Sequence, residues 1–83
     1  MVDAKGATQA AIAYFTELYG VSSGLRLEEV ELTDDGHWLI TLSFHPGPEI
    51  ASILKPDLPR QYKIFRIDAT TGRIQSMKIR KVG

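Results

Sequence analysis

At 83 residues, with 43% hydrophobic and 24% charged side chains, the chain has the composition of one small globular domain and not of a disordered or membrane-embedded one. It has no cysteine, which excludes a disulfide framework and thiolate metal sites, and a domain this short buries only about 60 to 65% of its unfolded surface. Ten bases balance ten acids unevenly: residues 1–59 hold three bases and nine acids, whereas residues 60–83 hold seven bases and Asp68 as their single acid.

The predicted elements begin with a helix over Ala4–Tyr19, where Ala7, Ala11, Tyr14, Phe15 and Leu18 recur at spacings of three and four. Asp3 stands at the N-cap, and Gly20 stands where a left-handed residue ends a helix. The first six residues, Met1-Val2-Asp3-Ala4-Lys5-Gly6, do not form a basic segment leading into an apolar run, and no segment reaches the ~20 apolar residues of a membrane span. The chain is therefore expected to be cytoplasmic. A loop over residues 21–24 precedes a first strand, Leu25–Leu32, whose alternation slips at Glu28-Glu29 in the manner of a β-bulge. Asp34-Asp35-Gly36 marks a hairpin. In the strand that follows, Trp38, Ile40, Leu42 and Phe44 alternate with His37, Thr41, Ser43 and His45, and Leu39 breaks the pattern. Such alternation requires one buried and one wetted face, and the helix is the obvious cover for the buried one.

Residues 46–60 hold all four prolines and cannot form a ladder strand. Their apolar residues Ile50, Ile53, Leu54 and Leu58 either cap an open end of the core or present a contact surface that ends at Arg60. The last two strands, Tyr62–Asp68 and Arg73–Val82, are joined by a turn in which Asp68 can accept from backbone amides and Gly72 can take positive φ. The expected fold is α+β: an N-terminal helix packed on one face of a four-stranded antiparallel sheet, in the order α-β-β-β-β, with a proline-bounded insertion between strands 2 and 3.

Four stretches carry a family likeness: a helix ending Leu18-Tyr19-Gly20, the acidic strand, Asp35-Gly36-His37-Trp38, and Tyr62 through Ile74 with its D-x-x-T-G turn at Asp68, Thr71 and Gly72. Together they resemble the PepSY-like, broadly cystatin-like group of small α+β domains, over most of the chain except residues 46–60. The resemblance implies a single non-enzymatic domain of a kind associated with inhibiting or regulating peptidases and with binding ligands or partners outside the cytoplasm.

Among function classes, catalysis is disfavoured by the residues themselves. There is no G-x-S-x-G, no H-E-x-x-H and no glycine-rich phosphate loop, and His37 and His45 lie about 27 Å apart along an extended strand at ~3.4 Å per residue. Asp68 followed by two threonines makes a poor calcium loop, so neither metal nor cofactor is expected. Two readings of the charge split remain. The basic strands lie beside the acidic strand around Glu28–Glu31 and pair with it, or Lys63, Arg66, Arg73, Lys78 and Arg80 form a weak nucleic-acid or polyanion surface. Strand alternation puts Lys63 and Arg66 on opposite faces and counts against the second. The favoured expectation is a protein-interaction or regulatory module that uses the open sheet face, a strand edge or the 46–60 segment (Ile50, Ile53, Leu54, Leu58, Arg60), with an unknown protein or a second copy as partner.

Overall fold

The computed structural model describes residues 1–20, 24–45 and 60–80. The chain forms α1 (Ala4–Tyr19), β1 (Arg26–Leu32), β2 (His37–Phe44), β3 (Gln61–Asp68) and β4 (Ile74–Ile79). The strands pair in chain order, β1-β2-β3-β4, as an open antiparallel sheet with α1 on one face. This is the expected α+β arrangement. The expected insertion and its residues Ile50, Ile53, Leu54 and Leu58 lie outside the described residues, as does the end expected for the last strand beyond Arg80.

The helix starts where its first-turn amides find a partner: Asp3 is extended and its carboxylate accepts from Gly6 N at 2.8 Å. It stops at Gly20, whose N–H donates to Thr16 O at 2.8 Å. Ala7 and Ala11 are fully buried, and their small side chains let the helix backbone approach the sheet closely. Phe15 then fills the space near the open end of β2, its ring 4.8 Å from that of Phe44, while Tyr14 meets Phe65 edge-on. Leu18 shares the phase of Ala7 and Ala11 but is 52% exposed, because Phe15 occupies this end through its contacts with both Phe44 and Tyr19.

On the sheet, Ile40, Leu42, Phe44, Phe65 and Ile67 complete the core, with Trp38 half-buried beside them. The indole Nε1 of Trp38 donates to Val2 O at 2.8 Å, and Val2 N donates to Ala69 O, so the segment before the helix is tied to the sheet at this end. Both turns have clear local causes. In the first, Gly36 N donates to Thr33 O and Thr33 N to His37 O, with Gly36 the only residue at positive φ (82°). That geometry is a three-residue loop closed by a glycine bulge, not the two-residue Asp-Gly turn, which would need Asp35 at positive φ as well. In the second, the Asp68 carboxylate accepts from Thr70 N (2.7 Å) and Thr71 N (3.0 Å), and Gly72 takes φ 78°.

The slip expected at Glu28-Glu29 is a bulge: Leu27 pairs with Leu42 and Glu29 with Thr41, leaving Glu28 between them. The bulge keeps Leu27, Val30 and Leu32 on the helix side, opposite Leu42, Ile40 and Trp38. They are nevertheless 47%, 38% and 47% exposed, because α1 lies principally over β2. Among the described residues, no helix is long and apolar enough to cross a membrane.

Candidate functional site

The face opposite the helix carries the polar alternates of β2 and β3, and it is not simply wetted. Thr41 and Ser43 are 2% and 0% exposed although they point away from the core. Long charged side chains roof them. Ser43 Oγ donates to Glu28 Oε2 at 2.6 Å and accepts from Arg60 Nε and Nη2 at 3.1 and 2.9 Å. Thr41 Oγ1 accepts from Arg80 Nη1 at 3.0 Å, and the same guanidinium pairs with Glu29. That ion pair holds the Arg80 guanidinium still more firmly protonated than usual, chiefly through its hydrogen bond to Glu29.

Arg80 also corrects one expectation. The basic strands do not lie beside the acidic one, since β2 separates β1 from β3 and β3 separates β2 from β4. Consecutive hairpins force that order, so opposite charges meet only where a long side chain reaches across. A second bridge lies at the turn end of the face. Arg66 Nη2 donates to Asp35 Oδ2, and Asp35 Oδ1 accepts from Thr33 Oγ1 and, in the Nδ1–H tautomer, from His37 at 3.2 Å. The Thr33 hydroxyl, helped by His37 and Arg66 and opposed by partial desolvation, lowers the Asp35 carboxyl from 3.8 to about 2. Asp68 is lowered too, by the backbone N–H groups of Thr71 and Thr70.

Between the two bridges lies a shallow depression of about 170 Å³ lined by Leu39, Ile64, Arg66, Ser76 and Lys78. The β2–β3 register sets Leu39 against Arg66, and the β3–β4 register sets Ile64 against Lys78 and Arg66 against Ser76. The floor is therefore apolar, with the Lys78 ammonium on one wall and the Asp35-paired Arg66 on the other. Such a site suits an anionic group attached to an apolar stem.

Of the basic residues singled out in the sequence, Arg66, Lys78 and Arg80 share this face. Lys63 does not: its ammonium sits 5.7 Å from the Tyr19 ring centroid on the helix side. Arg73 is exposed just past the β3–β4 turn, where its carbonyl accepts from Asp68 N. Arg60, expected at the end of a contact segment, instead joins Ser43, the Gly24 carbonyl and His45, whose Nε2 lies 3.2 Å from Arg60 Nη1. His37 and His45 thus sit at opposite ends of β2 in separate clusters. Leu39, Ile64 and Ser76 were not legible as site residues. The one available signal was Leu39, an apolar residue on the polar alternation of its strand. Among the described residues, no group of three or more His, Cys, Asp or Glu side chains is placed to hold a metal. Compared with known proteins, the chain matches no family model, no curated protein and no solved structure.

Proposed function

We propose that this chain is a non-enzymatic, cytoplasmic protein-interaction module of PepSY-like design, which docks an acidic, partly apolar strand or tail against its open sheet face. The observation that carries the reading is the depression in which Arg66 and Lys78 flank Leu39 and Ile64. Elsewhere on the face the guanidinium groups of Arg60 and Arg80 are engaged with Glu28-bound Ser43, Glu29 and Thr41, so little positive charge is left to attract a polyanion along its length. Lys78 has no ion-pair partner among the described residues. A partner that places a carboxylate at Lys78 while covering Leu39 and Ile64 gains both electrostatic and apolar terms, whereas a uniform polyanion gains only the first.

The test is an isotope-labelled chain titrated with an extended peptide that alternates Glu with Val, followed by amide shifts. Perturbations should concentrate on Leu39, Ile64, Arg66, Ser76 and Lys78, and Ile64→Ser should weaken binding about tenfold, the effect of removing one apolar contact worth ~1.4 kcal/mol. Binding to heparin that vanishes with moderate salt and ignores Ile64→Ser would replace this reading with the polyanion one.

A further inference from the structure

The two edges of the sheet differ in charge and match in pattern. β1 is exposed at every position. Beyond its bulge it reads Glu29-Val30-Glu31-Leu32, with Val30 and Leu32 on the helix side and Glu29 and Glu31 on the open side. At the other edge, beyond the β3–β4 register shift, β4 reads Ser76-Met77-Lys78-Ile79. Met77 and Ile79 pair with the helix-side residues Phe65 and Lys63, while Ser76 and Lys78 face the open side. Ile79 is 71% exposed. The helix covers neither margin fully, and each edge therefore presents main-chain donors and acceptors above an apolar row and a row of one charge.

We propose that these edges recognise each other between copies of this chain, β4 of one copy adding antiparallel to β1 of the next. The register that sets Glu31 against Lys78 also sets Val30 against Ile79 and Leu32 against Met77. Acid meets base on one face and apolar meets apolar on the other. Direction allows it, because in an antiparallel sheet of four strands the first and last run oppositely, so a second copy placed alongside continues the alternation. The symmetric alternatives are penalised: β1 on β1 sets Glu near Glu, and β4 on β4 sets Lys78 and Arg80 near their own kind. Arg80 is engaged by Glu29 within its own chain, which leaves Glu31 and Lys78 as the pair that distinguishes partners. An interface of this heterologous kind does not close at a dimer; it extends until a ring or an open row forms.

The absence of native cysteine makes the test direct. Full-length chains carrying Val30→Cys or Ile79→Cys, positions that do not line the open-face depression, are mixed in equal amounts and treated with oxidised glutathione. The expected product is a disulfide joining one copy of each variant, several-fold in excess of either homodimer, and the chain with both substitutions should give a ladder of covalent oligomers. Product ratios no different from random pairing, or a predominance of either homodimer, would overturn the proposal. Sedimentation of the unsubstituted chain gives an independent reading: its average mass should climb past the dimer with concentration, and Glu31→Lys should lower the association constant about tenfold. A monomer mass held into the millimolar range, or a plateau at the dimer, would equally overturn it. Lys78 belongs to both sites, so Ile64→Ser, which removes the apolar floor of the depression and leaves the β4 edge unchanged, separates them: it should weaken peptide binding and leave both readouts untouched.

Discussion

Asp35 shows how a surface residue acquires a defined role from its neighbours alone. The Thr33 hydroxyl, His37 and Arg66 all favour its carboxylate, which lowers its pKa from 3.8 to about 2. Because the folded-state value lies below the ordinary one, this contribution to stability is complete above about pH 4 and is lost as pH falls towards 2. Asp68, lowered by the turn amides, acts in the same direction. Thermal unfolding followed from pH 5 to 2 should therefore show Tm falling through that window, on the order of the lower carboxylate range. Asp35→Asn should flatten part of the slope, and an unchanged profile would show that the Thr33–His37–Arg66 arrangement does not persist in solution. Gly72 is constrained differently. Its φ of 78° is costly for any L residue, and an added Cβ would lie 3.2 Å from Val2 Cγ2. Gly72→Ala should cost about 1 to 2 kcal/mol, read as a lower urea midpoint at constant slope.

At the scale of elements, the helix is held chiefly by what it buries. Capping by Asp3 is worth about 1 kcal/mol, so Asp3→Ala should be a mild change. Phe15 is fully buried between Phe44 and Tyr19, and Phe15→Ala should cost about 3 to 5 kcal/mol. Against a total stability of about 4 to 12 kcal/mol for a chain of this length, that loss is a quarter or more of the whole, read as a lower urea midpoint followed by circular dichroism. The strands are unequal. β2 and β3 are paired on both sides, whereas β1 and β4 each have one open edge, so in the dilute monomer the outward-facing amides of β1 and β4 should exchange fastest in the sheet.

For the whole molecule, the acidic strand β1 becomes one edge of the sheet and the basic strands β3 and β4 its other half, bridged across the open face. Arg80 reaches Glu29 over two intervening strands, and Arg66 reaches Asp35 at the turn end. Both bridges are partly exposed, so salt should screen them and leave the core unaffected. Their larger consequence concerns recognition. Charges used within the molecule are withdrawn from partners, and those left over, Lys78 beside the apolar floor and Glu31 on the acidic edge, decide what the surfaces can accept.

Local structure was legible in the sequence because its causes are local. A 3.6-residue apolar period with Asp3 and Gly20 at its ends delimits α1, the slip at Glu28-Glu29 marks the bulge, and Asp68 with Gly72 specifies the last turn, each through bonds within a few residues. The alternation in β2 likewise identifies its buried row. What the tertiary structure alone decided is which distant side chains meet. Burial of Thr41 and Ser43 by arginines just after β4 and just before β3, the exposure of Leu27, Val30 and Leu32, and the gathering of Leu39 and Ile64 between Arg66 and Lys78 all depend on strand order, register and the position of the helix over the sheet. Those are long-range quantities, set by the packing of the whole core, and no window of neighbouring residues contains them.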